Sequence, residues 1–154
     1  MTALTLADEA SFYRAALLGG LIDPAQVIAW ADAWIMREAR VPDGIINVSL
    51  SGGQINRIAD ALGQLEPEHL TEGGWRLYAG LLRKRWINGT LQPVEIAALL
   101  YGLVLSRYAP LGLENELRDF SDDFELVMLG LTPLEEQSAP AAEERLWAFL
   151  DGWA

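Results

Sequence analysis

A chain of 154 residues, 51% apolar and with six tryptophans, has ample material for a core, and a domain of this length buries roughly 68–70% of its unfolded surface. It has no cysteine, so disulfide frameworks and thiolate metal sites are excluded, and no apolar run approaches the roughly 20 residues of a membrane helix. A formal charge of −11 argues against nucleic acid or an anionic membrane as partner, because their phosphates would be repelled.

The opening MTALTLADEASFYR carries acids early and lacks a basic region, so it does not read as a signal peptide, and the expected compartment is the cytoplasm. Thr5 and Asp8 have the spacing of a capping box. They predict a first helix over Leu6 to Leu18, with Phe12, Ala15, Ala16 and Leu18 as its apolar stripe and Gly19-Gly20 as its stop.

Leu21 to Ser51 gives the clearest local instructions in the chain. Asp23 is placed to cap, Pro24 falls at the first helical position and Gln26 completes a second box. Val27, Trp30, Ala31 and Trp34 recur at three and four, with Ile28 and Ile35 widening the stripe, and Pro42 ends the helix near Ala39. Set against the apolar helix Pro93 to Ser106, the two tryptophans are expected to pack at the centre of the domain. Ile45 to Leu50 is rich in β-branched residues, which favours a strand. A lone strand would leave its backbone groups unpaired, so a short helix capped by Asp43 is predicted, with Ile46 and Leu50 inward.

Beyond Ser51-Gly52-Gly53, a helix carries Ile55, Ile58, Ala59, Leu62 and Leu65 on one face, and Glu66-Pro67-Glu68 breaks it. Thr71 opens a helix with Trp75, Tyr78, Leu81, Leu82 and Trp86, closed by Asn88-Gly89. Gln92-Pro93-Val94-Glu95 starts one bearing Ile96, Leu99, Leu100, Leu103 and Val104, apolar nearly all round and so expected at the centre of the domain. Pro110 and Gly112 stop it. Leu113, Leu117, Phe120, Phe124 and Val127 define the next helix, 130–140 reads as loop, and a final helix over Ala141 to Leu150 returns Leu146, Phe149 and Leu150 to the core, with Trp147 and Trp153 as extra anchors. The expectation is one all-α domain over residues 1–154, an irregular bundle of about seven to eight helices. The segments ending GGLIDPAQ and NGTLQPVE share a layout, which two αα-hairpins of like construction or convergent cap chemistry would both explain.

Chemistry is sparse. The one histidine, His69, lies in a loop approach where a polar role suffices. A structural zinc site wants several Cys or His ligands. Asp119, Asp122, Asp123 and Glu125 lack the alternation and central glycine of a calcium loop. Asp32, between Trp30 and Trp34, is the one acid set amid apolar neighbours. Ser51-Gly52-Gly53-Gln54 lacks the lysine of a phosphate loop. Arg83-Lys84-Arg85, with Arg76, is the single basic patch, and pairing with the acidic C-terminal third accounts for it. No catalytic residue, cofactor or metal ligand is assigned.

Charge is unevenly spread: Met1 to Tyr108 holds 11 acids against 9 Arg or Lys, whereas Ala109 to Ala154 holds 11 against Arg118 and Arg145. Solubility alone explains an acidic surface, but a concentrated negative face also suits fast association with a basic protein. Glu114, Glu116, Asp119, Asp122, Asp123 and Glu125 form the expected contact face. GLIDPAQVIAWAD, the W-x-x-Y helix after it and the acidic run LENELRDFSDDFE together give a layout that resembles small bacterial immunity proteins. That resemblance implies a non-catalytic module neutralising a toxin domain, and nuclease toxins are basic because their substrate is anionic. A structural or adaptor subunit, as a homodimer burying Trp147 and Trp153, is the alternative, and a carboxylate enzyme using Asp32, Tyr101 or Glu95 is a third.

Overall fold

The computed structural model describes residues 3–65, 68–128 and 139–153. Among the described residues the fold is all-helical: α1 (Leu6–Leu18), α2 (Pro24–Arg37), α3 (Asp43–Ser49), α4 (Ile55–Gly63), α5 (Glu72–Ile87), α6 (Pro93–Leu105), α7 (Glu114–Met128) and α8 (Ala139–Trp153). The predicted break at Glu66-Pro67, most of the predicted loop over 130–140 and the side chain of Val127 lie outside the described residues. The chain divides into two compact units, Met1–Gly74 and Trp75–Ala154. The division falls inside α5, where no linker composition marks it.

In the first unit, the Thr5 N–H donates to Asp8 Oδ2 (2.9 Å) and the Asp8 N–H to Thr5 Oγ1 (3.1 Å), so the predicted capping box starts α1. The helix ends in a Schellman motif: Leu21 N–H reaches the Ala16 carbonyl and Gly20 N–H the Leu17 carbonyl, with Gly20 at φ 73°. Its inward residues are Ala10, Ser11, Ala15, Ala16 and Leu17. Leu18, assigned to the stripe, is 55% exposed instead, because a core line through Ala10 and Leu17 places residue 18 about 100° further round.

Helix α2 begins as predicted, with Gln26 Oε1 accepting from the Asp23 N–H at 2.8 Å and Pro24 at its head. Only Val27 and Ala31 of its stripe are buried. Trp30 and Trp34 are half-buried, Trp30 against Tyr13 of α1 with ring centroids 4.7 Å apart. They close the rim of this unit rather than its centre. The β-branched run is a helix, α3, but its inward residues are Ile45 and Val48, and Leu50 is 74% exposed. Helix α3 starts one residue earlier than expected, with Pro42 at the cap position and Asp43 inside the first turn, and the line it turns to the core runs through Ile45 and Val48, three residues apart. The core of the unit is Ala10, Leu17, Val27, Ala31, Ile45, Val48, Ile58, Ala61 and Leu62. Gly44 permits the closest approach of α3 and α4, since a Cβ there would stand 2.7 Å from Leu65 Cγ and 2.9 Å from the Ala61 carbonyl oxygen.

In the second unit, α6 packs on α7, and α8 packs on both. Trp75, Tyr78 and Leu82 of α5, Ile96, Leu100 and Leu103 of α6, Leu117 and Phe124 of α7, and Leu146 and Leu150 of α8 are buried. Burial pushes the Tyr78 phenol well above its ordinary value. Phe149 joins three elements, lying 6.0 Å from Trp75 and 5.0 Å from Phe120 between ring centroids. Both α5 and α6 end in Schellman motifs like that of α1, through Thr90 N–H to the Arg85 carbonyl and Tyr108 N–H to the Leu103 carbonyl, each 2.9 Å. Gly89 supplies the positive φ of the first, while Arg107, at φ 59°, supplies that of the second.

Two predicted features of this unit need correction. Helix α8 begins at Ala139 and runs to Trp153, longer at both ends than the Ala141 to Leu150 expected. Helix α6 is not enclosed on all sides: Val94 is 40% and Leu105 66% exposed, and Ala98 and Gly102 between them also face outward.

Candidate functional site

The acidic helix is the first place to look. Leu117 and Phe124 fix the inward side of α7 and Phe120 is half-buried beside them. At about 100° per residue, the six predicted contact acids then fall into two sectors. Glu114, Glu125 and Asp122 lie in one, with Arg118 among them. Asp119, Asp123 and Glu116 lie in the other, beyond Asn115. Asp119 and Asp122 sit nearest the outermost line, on either side of it.

The six differ in what they do. Glu114 is half-buried and accepts the Gly112 N–H at 3.1 Å, supporting the turn before the helix. Asp123 is half-buried and holds Arg145 of α8, with Nε at 3.3 Å and Nη2 at 3.2 Å from Oδ2. Glu116, Asp119, Asp122 and Glu125 face solvent. Proline-free helix formation from Glu114 to Met128, with acids in the first turn favoured by the positive end of the helix, sets where these four residues stand around α7. Among the described residues no group of three or more His, Asp or Glu side chains is placed to hold a metal ion.

Two of the four side chains of the predicted basic patch, Arg76 and Arg83, are engaged within their own unit. Arg83 pairs with Asp151 at 2.8 Å and lies 5.1 Å from the Trp147 ring centroid. Arg76 lies 5.0 Å from the Trp153 ring centroid and reaches the Trp153 carbonyl oxygen at 3.4 Å. Trp86 meets Trp147 edge-on at 5.1 Å, and Trp75 meets Trp153 edge-on at 6.4 Å. Trp147 and Trp153 thus join the Arg83–Asp151 pair and the Trp75–Phe149 contact in holding α8 to α5.

These pairings change how the charge is distributed. By unit, the first carries 10 acids and 4 bases, a net of −6, and the second 12 acids and 7 bases, a net of −5. The contrast between the early chain and the last third therefore disappears at the level of the units, because α5 brings Arg76, Arg83, Lys84 and Arg85 to the acidic side. What survives is local to one helix: α7 presents six acids and one arginine.

Other candidate residues are put to structural use. Asp32 is exposed and accepts the Ser49 hydroxyl at 2.5 Å, tying α2 to α3. Glu95 is exposed and accepts the Gln92 N–H at 3.0 Å as the returning half of a capping box. Tyr101 and His69 are half-buried. Gly52 and Gly53 both have positive φ, and the Gly53 N–H approaches Ser51 Oγ at 3.4 Å, so this loop turns back on its own hydroxyl.

The sequence reading missed the most connected polar cluster. Thr71 Oγ1 accepts the Gly74 N–H at 3.0 Å and donates to Asp8 Oδ1 at 2.6 Å, and Ser11 Oγ donates to the Asp8 carbonyl at 3.0 Å. Ser11 Oγ also lies within hydrogen-bond distance of Thr71 Oγ1, at 3.3 Å, and accepts the Thr71 N–H at 3.5 Å. Burial would raise the Asp8 carboxyl, but hydrogen bonds from the Thr5 backbone, the Thr71 hydroxyl and the Thr5 side chain outweigh it and hold the group below its usual 3.8. The available signal was the pair Gly73-Gly74 in the first turn of a helix, a place where glycine is costly.

No family model, curated protein or solved structure matches the chain. Among the described residues no helix is long and apolar enough to cross a membrane.

Proposed function

We propose that this chain is a non-catalytic protein-binding module that engages a basic protein surface through α7, in the manner of an immunity protein neutralising a toxin domain. The observation that supports it is that Glu116, Asp119, Asp122 and Glu125 all face solvent on one helix. Fixed carboxylates of one sign accelerate encounter with a positively charged partner and reject negatively charged ones. Of the six acids first assigned to the contact, Asp123 and Glu114 serve the fold, so Asp119 and Asp122 carry the interaction, with Glu116 and Glu125 at its sides.

The test begins with the adjacent reading frame and with capture of a partner from the native cytoplasm. A captured basic domain is then measured against the double reversal Asp119→Lys with Asp122→Lys. The expected result is an association rate lowered by about tenfold or more, with the wild-type rate falling steeply as salt is raised. Unchanged association by the double variant rejects the assignment. In the toxin form of the proposal, co-expression of the chain restores growth to cells making its neighbour, and the double variant does not.

A further inference from the structure

We propose that the turn closing α5 is a site of self-modification, at which Asn88 loses its side-chain amide to attack by the Gly89 nitrogen while Thr90 holds the carbonyl oxygen of that amide. Asn88, Gly89 and Thr90 are all exposed, so water and hydroxide reach them. The Thr90 N–H can only donate, so the Asn88 atom it meets at 3.1 Å is the carbonyl oxygen Oδ1. The Thr90 hydroxyl lies 2.6 Å from the same oxygen, closer than its 3.2 Å to the Arg85 carbonyl. A side-chain oxygen that accepts from the residue two further on spans the intervening peptide, so the Asn88 amide is folded forward over its bond to Gly89. Gly89, at φ 77°, has no side chain to obstruct the approach.

Solvent supplies everything the step consumes. Hydroxide takes the Gly89 amide proton, the nitrogen bonds to Asn88 Cγ, and the charge passes to Oδ1, where the two Thr90 donors face it. Ammonia then leaves with a proton from water, and a five-membered succinimide is closed. Water opens that ring at one of its two carbonyls, giving aspartate or isoaspartate. The Gly89 N–H donates to the Trp86 carbonyl at 3.1 Å, so attack waits on opening of the last turn of α5, and helix ends fray readily. The other asparagines, Asn47, Asn56 and Asn115, lie inside α3, α4 and α7 and precede Val48, Arg57 and Glu116. Helical backbone and a side chain on the following residue both oppose ring closure there. The product sets a carboxylate at the negative end of α5. In its isoaspartate form it also lengthens the main chain inside the span that the Thr90 N–H and the Arg85 carbonyl bridge.

This site is separate from the acids of α7 and does not depend on the reading given to them. The full chain is incubated at mildly alkaline pH, both folded and in urea, and mapped by peptide mass spectrometry. In the folded chain, conversion at Asn88 is expected to outpace that at each other asparagine by at least about tenfold, and to stay within about tenfold of its own rate in urea. Thr90→Val deletes the hydroxyl and keeps the shape. It is expected to slow conversion of the folded chain about threefold or more, and to leave the rate in urea unchanged, where the turn no longer exists. Asn88→Gln is expected to lose the fast-forming acidic species seen on anion exchange, because closure would then need a six-membered ring. Conversion spread evenly over the four asparagines overturns the proposal, as does an Asn88 rate more than about tenfold slower in the fold than in urea. So does a folded Thr90→Val chain that converts as fast as wild type, or an Asn88→Gln chain that gains the acidic species at the wild-type rate.

Discussion

Thr71 donates its hydroxyl to Asp8 at 2.6 Å while accepting the Gly74 N–H at 3.0 Å, so the residue that caps α5 is held by the carboxylate that closes the capping box of α1. One acid thus serves the starts of two helices, bonding a cap residue 63 positions further along the sequence. The positive end of α5 favours its ionised form, as the positive end of α1 does.

Removing this link should be costly and visible in pH. Thr71→Ala is expected to lower stability by about 1–2 kcal/mol, measured by urea denaturation at neutral pH. The Asp8 carboxyl is held below 3.8 in the fold. Its contribution is therefore complete above that value and is lost as pH falls through the lower, folded one. Asp8→Asn should flatten this part of the acid limb of the stability curve while leaving the limb above pH 5 parallel to wild type.

The glycines of α5 should divide sharply. A Cβ at Gly74 would overlap Ser11 Oγ and one at Gly73 would stand 2.5 Å from Asp8 Cγ, whereas Gly80 has open space around the same position. Gly74→Ala is expected to destabilise by about 2 kcal/mol or more, by overpacking and by displacing a buried hydroxyl. Gly80→Ala is expected to stabilise by about 0.5–1 kcal/mol, because it restricts the unfolded chain and improves helix propensity. Thermal denaturation of the two variants side by side decides the point.

Arg107 occupies a left-handed position at φ 59° that Gly20 and Gly89 fill in the two matching helix ends. Arg107→Gly should relieve about 1 kcal/mol of backbone strain, somewhat offset by the greater freedom of glycine in the unfolded chain. Chemical denaturation at low micromolar protein should show the midpoint unchanged or raised, and a clear loss would mean that the arginine side chain holds the turn.

Trp75 is fully buried, and its indole Nε1 has no hydrogen-bond partner among the described residues. Trp75→Phe loses volume but also removes an unsatisfied N–H, whose burial costs about 1–3 kcal/mol. It is expected to cost far less than Trp75→Ala, for which about 3–5 kcal/mol is expected from the cavity. If the phenylalanine variant proves as damaging as the alanine one, the indole N–H has a partner that the packing does not reveal.

Local signals carried most of the helix boundaries. Thr5 with Asp8, Asp23-Pro24 with Gln26, and Gln92-Pro93 with Glu95 start their helices where the residue types required, because a cap is decided within four residues. The inward faces were harder. Leu18, Ile46 and Leu50 are as apolar as Leu17, Ile45 and Val48, and which set is buried depends on neighbours far along the chain. The same limit applies to α6, whose composition reads as fully enclosed while its neighbours cover only part of it. The acidic face on α7 was legible as a set of residues, but Arg145 of α8 decides that Asp123 belongs to the fold. The cluster of Asp8, Ser11 and Thr71 joins positions about sixty residues apart, and nothing local announces it.

The guanidinium stacking in the second unit has a practical corollary. Trp147 and Trp153 on α8 each lie beside an arginine of α5, and both are half-buried. Any loosening of α8 would move these indoles from stacked cations into water and shift their emission to the red. The helix that locks the unit therefore also serves as its optical gauge, and its opening can be followed by intrinsic fluorescence with no label attached.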